Sequence, residues 1–159
     1  MNERSGAESY CWAALIATSA VLYHFHDRMT EGLRVVEHPA GDLLGIFLRV
    51  ILMTICLHVV IAVVFSIKRG AAAEQDGNPY EQDERDLAIE RKGERFGYAF
   101  LGVAINLIVL MLLFEYAYPG HSQFAVSVLG PAHMFFALLA SLLFSDIVKR
   151  VTMLMAYRA

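Results

Sequence analysis

Histidines are the residues of this sequence whose type and position come nearest to the chemistry of a binding site. The chain has six of them, and His58 and His133 fall inside long uncharged stretches. A neutral imidazole is an axial ligand of haem iron, so this pair could hold haem b. Asn106 lies at a similar position in a third uncharged stretch. The three side chains could instead form hydrogen bonds that fix how membrane helices pack.

Other catalytic and metal-binding patterns are missing from the sequence. Two cysteines, Cys11 and Cys56, are too few for a disulfide framework or a multi-cysteine zinc site. The sequence has no Cys-x-x-Cys-His motif for covalent haem attachment and no glycine-rich phosphate-binding loop. A group of histidines and carboxylates near the predicted outer surface lacks a spacing diagnostic of a metal site. We therefore expect no catalytic residue, no metal ligand and no enzymatic activity, with haem b as the alternative.

The composition indicates an integral membrane protein that is all helical. Hydrophobic residues make up 57% of the 159 residues and charged residues 18%, against about 25% charged in soluble domains. The net charge of −3 gives no basic footprint for nucleic acid. A spanning helix needs about 20 mostly apolar residues, and small residues at helical spacing in each stretch favour a bundle of four such helices. The predicted single domain, residues 1–159, has spans at about 9–26, 43–67, 96–117 and 123–146 and a C-terminal extension at 147–159.

The distribution of basic residues predicts the orientation of these spans. Of the 13 Lys and Arg residues, ten lie in the N-terminal segment, the central connection at 68–95 and the C-terminal segment. Cytoplasmic segments carry the excess of Lys and Arg in membrane proteins. Both termini and the central connection are therefore predicted to face the cytoplasm of a bacterium, with the chain crossing the inner membrane several times.

The central connection at 68–95 is predicted to combine a linker with a long helix. Residues 70–79 are rich in Gly, Ala and turn-forming residues. Asn78 is a favourable N-cap, and Pro79 suits the first position of a helix. Because no strong helix breaker follows, we expect one continuous helix over about 79–117, which extends the third span into the cytoplasm.

An acidic-Arg-acidic box lies in the first turns of this helix. The box is Asp83-Glu84-Arg85-Asp86. After it come an Ile, two basic residues, an Arg and an aromatic residue that enters the span: Ile89, Arg91-Lys92, Arg95 and Tyr98. This pattern resembles the signature of an uncharacterised family of small bacterial and archaeal membrane proteins. The match covers about 20 of the 159 residues and the spans around them. The resemblance implies an inner-membrane protein and brings no established activity.

The sequence predicts an interaction or regulatory subunit that presents the helix at 79–96 to a protein partner or a second copy. The residues expected to bind the partner are Asp83, Glu84, Arg85, Asp86 and Leu87. The alternative for this box is a solvated helix start whose charges contact no partner.

Packing within the bilayer is expected to depend on small and polar residues. Gly93 and Gly97 have the GxxxG spacing of closely packed membrane helices, and Asn106 and His133 are expected to contribute hydrogen bonds between helices. The alternative function is a small membrane cytochrome that binds haem through His58 and His133.

Overall fold

Four long helices make up nearly all of the described chain. The structure, a computed structural model, describes residues 6–32, 34–76, 84–118 and 130–159. The helices are α1 (Gly6–Met29), α2 (Ala40–Asp76), α3 (Glu84–Ala117) and α4 (Pro131–Arg158). Two short strands, β1 (Thr30–Glu31) and β2 (Arg34–Val35), connect α1 to α2. The fold is therefore all helical apart from this small hairpin.

Three of the helices are long and apolar enough to span a membrane. They are α2 over Ala40–Lys68, α3 and α4. The fourth, α1, is 24 residues long, but polar residues such as Ser19, His24 and His26 lower its hydropathy. Three predicted spans thus meet the requirements of length and composition, and the span in α1 stays a prediction.

Helix α1 lies between two other helices. Its buried residues recur every three or four positions, at Cys11, Ala14, Thr18, Val21 and Phe25, which is the periodicity of one helix face. α1 packs on both α2 and α4, and α3 packs on α4. The order across the bundle is therefore α2, α1, α4, α3, with α2 and α3 as the two outer helices.

The β-hairpin closes one end of the bundle. Thr30 pairs with Val35 in the antiparallel ladder, and Gly32 makes the turn with a φ of 66°, a conformation that favours glycine. The amide of Val36 donates a hydrogen bond of 2.8 Å to the carbonyl of Met29 at the end of α1. We call this end of the molecule the hairpin end.

An aromatic cluster joins α1 to α4 near the hairpin end. The ring of Phe25 stacks on that of Phe136 with centroids 5.4 Å apart, and it meets Phe135 edge to face at 5.7 Å. Phe25 is fully buried in an apolar core that also contains residues of α2. This core fixes α1 against both of its neighbours.

The fourth helix has other bounds than the predicted span. The span was predicted at 123–146 with a C-terminal extension, whereas α4 begins at Pro131 and continues without a break to Arg158. Gly130 is its N-cap residue, so the helix starts at Pro131. The reason is that proline, which has no amide hydrogen, fits the first turn of a helix well. Residues 119–129, which include the predicted start, lie outside the described residues.

The connection between α2 and α3 also differs from the prediction. α2 continues to Asp76, through most of the segment predicted as a linker, because the alanines at 71–73 favour helix. α3 is already helical at Glu84. The predicted start of this helix at Asn78-Pro79 falls in residues 77–83, outside the described part of the chain.

Replacing Phe25 by Ala tests the aromatic core. The variant should lose about 3 kcal/mol of unfolding free energy, because the cavity left by a buried phenyl ring is only partly refilled. Ile16→Ala is the matched control on the same helix, since Ile16 is 65% exposed. Equilibrium unfolding in mixed micelles gives both values, and equal losses in the two variants would contradict this packing.

Candidate functional site

The start of α1 and the end of α4 meet the start of α3 at the end of the bundle opposite the hairpin. Cys11, Ile89, Met153 and Leu154 form one buried apolar cluster there. The guanidinium of Arg158 lies 5.5 Å from the ring of Trp12, within the range of a cation–π contact. We call this end the stalk end, because α3 begins there with a charged segment that precedes its apolar part.

Two glycines bring α3 into close contact with α4. A Cβ atom on Gly93 would lie 2.5 Å from Cγ of Met153 and 2.9 Å from the carbonyl oxygen of Lys149. On Gly97 it would lie 3.1 Å from the carbonyl oxygen of Ser145. The hydroxyl of Ser145 in turn donates a hydrogen bond of 2.9 Å to the carbonyl of Gly97. The GxxxG pair noted in the sequence therefore lies in the α3–α4 interface.

An ion pair crosses the same interface. Nζ of Lys149 lies 3.0 Å from Oε1 of Glu94. The Glu94 side chain is 44% exposed, so the pair contributes little to stability. It places one positive and one negative charge beside each other at the edge of α3 and α4.

A polar network connects α1 to α4 inside the bundle. Thr18, which is 2% exposed, donates a hydrogen bond of 2.7 Å from its hydroxyl to Oδ2 of Asp146. Oδ1 of Asp146 lies 3.5 Å from Nε of Arg150, and the Cys11 thiol donates to the Arg150 carbonyl over 3.4 Å. Asp146 therefore has a hydrogen-bond donor and a cation close to its carboxylate.

The sequence analysis missed Thr18 and Asp146. Thr18 lies on the same face of α1 as Ala14 and Val21, at helical spacing from both. This position in an apolar face indicated that its hydroxyl would be buried. Its acceptor is 128 residues away in the sequence, so spacing alone could not identify the pair.

A groove separates α2 from α3. Within the described residues these two helices share no extended contact, since α2 packs on α1 and α3 on α4. Two cavities of about 490 and 480 Å³ lie between them, and Arg150 lines both. His58 and Glu94 line the first cavity, while Asp86 and Glu90 line the second, which lies nearer the stalk end. We call these two cavities together the α2–α3 groove.

The three polar residues that were considered together in the sequence, His58, Asn106 and His133, form separate contacts. Nδ1 of His58 is 2.8 Å from the carbonyl of Thr54 in its own helix. Asn106 donates its side-chain amide to Gly102, also in its own helix. Nδ1 of His133 is 3.0 Å from Oε1 of Glu37 at the hairpin end. Each side chain has its own partner, and none of these contacts joins two of the three residues.

The two histidines of the haem alternative lie at different levels of the bundle. His58 lines the same cavity as Leu142 and Asp146. His133 precedes Leu142 by nine residues, which is about 14 Å along an α-helix. The structure thus does not bring the two imidazoles together, and haem b stays the alternative that the sequence offers. The part of the chain that the structure describes also contains no cluster of three or more His, Cys, Asp or Glu suited to a metal ion.

The acidic-Arg-acidic box is only partly exposed. Glu84 and Arg85 are exposed, Asp86 and Leu87 are half-buried, and Asp83 lies outside the described residues. Asp86 lines the α2–α3 groove. The box therefore has residues on two sides of α3.

A basic surface occupies another side of the same helix. Arg91, Lys92 and Arg95 are exposed, and together with Phe96 and Ala99 they line a shallow hollow. Ile89, by contrast, is only 6% exposed and packs on the chain itself. The apolar side of this helix is thus covered by its own chain, and a basic side remains in contact with solvent.

Substituting the glycines tests the close contact between α3 and α4. Gly93→Leu should cost about 1 to 3 kcal/mol of unfolding free energy, because the new side chain overlaps Met153 and forces the helices apart. Gly102→Leu in the same helix is the control, since its Cβ would meet no atom within 4 Å. Unfolding in mixed micelles compares them, and a similar loss in both would show that α3 does not depend on this contact.

Replacing the buried hydroxyl tests the polar network. Thr18→Val keeps the shape of the side chain but removes the donor to Asp146, so it should cost about 1.5 to 3 kcal/mol. Thr18→Ser retains the hydroxyl and should lose clearly less. The same unfolding measurement applies, and a valine variant as stable as the serine variant would contradict the hydrogen bond.

Comparisons with other proteins assign neither a family nor a function to this chain. No protein-family model, curated protein or solved structure matches the chain. The resemblance of the box to a family of small membrane proteins therefore stays an expectation. The function has to be argued from the helices, the α2–α3 groove and the basic surface.

Proposed function

We propose that this chain is a non-enzymatic interaction or regulatory subunit of the bacterial inner membrane, and that it presents the start of α3 to a partner. One observation supports this proposal above the others. The helix at 84–98 is rigidly attached on one side to the rest of the chain and exposes a row of charged residues on another side.

The attachment comes from the tight contact of Gly93 and Gly97 with α4 and from the burial of Ile89. Since this part of α3 is continuous with the apolar helix, its orientation is fixed by the bundle. Binding surfaces held on rigid elements lose little entropy when a partner binds. The segment is therefore suited to be a fixed docking surface.

The chemistry of the exposed side points to an acidic partner. Arg91, Lys92 and Arg95 contribute three positive charges, and Phe96, which is 51% exposed, lies beside them. Arg and aromatic residues are enriched where protein interfaces bind most strongly. Glu84 and Arg85 of the predicted box extend this surface toward the stalk end.

The proposed topology has four spans with both termini in the cytoplasm. It is supported by the position of both described chain ends at the stalk end, beside the start of α3. An even number of crossings returns the chain to the side on which it began, and the excess of Lys and Arg favours the cytoplasmic side. α1 would cross the bilayer largely covered by α2 and α4, which lowers its need for apolar residues.

Reporter fusions test the topology. Alkaline phosphatase fused after Ala159 should be inactive, because the enzyme folds only outside the cytoplasm, whereas insertion after Gly32 in the hairpin should give activity. Immunoblots check that each fusion is intact. High activity at Ala159 would reverse the proposed orientation and would place the basic surface outside the cell.

Site-specific photo-crosslinking in intact cells tests the docking surface. A photoreactive residue at Lys92 should give a discrete adduct with a partner, while the same residue at Leu110, which is 60% exposed on the span, should give none. Charge reversal of Arg91 and Arg95 to Glu should remove the adduct, because it repels an acidic partner. Membrane fractionation verifies insertion of every variant.

Two results would contradict the proposal. One is the same adduct from both crosslinking positions, which would mean random collisions in the membrane. The other is an adduct that survives charge reversal with full yield, which would exclude the basic surface as its determinant. An adduct at twice the mass of the chain identifies the partner as a second copy.

A further inference from the structure

We infer that the α2–α3 groove binds one phospholipid with a primary ammonium headgroup, taken from the leaflet at the stalk end. The inference concerns a different side of α3 from the basic surface, and it does not depend on the proposed partner.

The groove has the size and position of a lipid site. Its two cavities, of about 490 and 480 Å³, lie between helices long and apolar enough to span a membrane, and each is within the range of small-ligand sites. It exists because Gly93 and Gly97 hold α3 on α4, while α2 packs on α1. The gap between two such outer helices is accessible from the bilayer.

Its lining changes from apolar to charged along the helix axes. Ile55, Leu101 and Leu142 form an apolar part. Lys149 and Arg150 follow Leu142 about two turns further toward the stalk end on α4, and both also line the groove. An amphiphile whose chains lie on the leucines would therefore have its polar headgroup at the charged part. This is the arrangement of a phospholipid in the adjacent leaflet.

The charges select among headgroups. Lys149 and Arg150 line the groove beside their carboxylate partners Glu94 and Asp146, and the N–H groups that these partners leave unused can donate to a phosphate. Glu90 and Glu94 line the same groove on one face of α3, four residues apart. Glu90 makes no hydrogen bond or ion pair with any residue that the structure describes. A headgroup with a phosphate and an ammonium can place the phosphate by the cations and the ammonium by the carboxylates. An anionic headgroup would instead place a negative charge against the carboxylates.

A primary ammonium is favoured over a quaternary one. Its N–H groups can donate charge-assisted hydrogen bonds to carboxylate oxygens such as those of Glu90. A trimethylammonium group has no N–H to donate. The groove should therefore prefer phosphatidylethanolamine to phosphatidylcholine as well as to phosphatidylglycerol.

Native mass spectrometry of the full chain in detergent tests this preference. Phosphatidylethanolamine, phosphatidylcholine and phosphatidylglycerol with identical acyl chains are added at equal concentration. Phosphatidylethanolamine should be retained over each of the others by about tenfold, the ratio that corresponds to the lower end of what one hydrogen bond to a charged group contributes. Glu90→Gln should reduce this preference to near unity. Glu84→Gln, on the exposed side of the same helix, should leave it unchanged.

A second pair of variants tests the apolar part independently of charge. Ile55→Trp places a bulky side chain in the groove and should reduce retention of every lipid by about tenfold. Val60→Trp on α2 is the control, because Val60 is 59% exposed and lies about 200° around the helix from His58, which lines the groove. This comparison holds even if headgroup preference is weak in detergent.

Three outcomes would overturn the inference. Equal retention of the three lipids by the parent chain would exclude headgroup selection, and preference for phosphatidylglycerol would show an anionic lipid instead. A dimer that carries no lipid, and that Ile55→Trp converts to a monomer, would identify a second copy as the occupant of the groove.

Discussion

The close approach of α3 to α4 at Gly93 and Gly97 is the contact on which the stalk end depends. With no side chain at these positions, the backbone of α3 lies directly against Lys149 and Ser145, so dispersion contacts and the Ser145 hydrogen bond act over a short distance. Because α3 is held there, Ile89 is buried and Arg91 and Lys92 face away from the bundle. The same contact keeps α3 apart from α2 and leaves the groove between them.

The position of α1 explains why its sequence is less apolar than that of the other helices. A helix that faces lipid on most sides must be apolar on most sides, as α2 and α3 are. α1 instead packs on α2 and α4, and its buried Thr18 has an acceptor in Asp146. A buried polar group costs little once it is hydrogen-bonded. A helix between two others therefore needs less apolar surface than a helix that faces lipid.

The sequence predicted features that depend on residues close together in the chain. It could not predict features that depend on contacts between residues far apart in the chain. The apolar stretches gave the helices, and the spacing of Gly93 and Gly97 pointed to close packing. The predicted span at 123–146 placed His133 well inside a helix, whereas Pro131 starts α4 and leaves His133 in its first turn. Its partner, Glu37, follows the hairpin, and no local pattern connects two residues that are 96 positions apart.

α3 carries its charges on separate sides, and this separation determines what each side can bind. Glu90 and Glu94 face the groove, where their neighbours are Lys149, Arg150 and the apolar walls of adjacent helices. Arg95 lies on the basic surface and faces solvent. Charges near a low-dielectric wall are screened less than charges in water. The proposed headgroup would therefore be held at short range in the groove, while the proposed acidic partner would be attracted to the basic side through solvent.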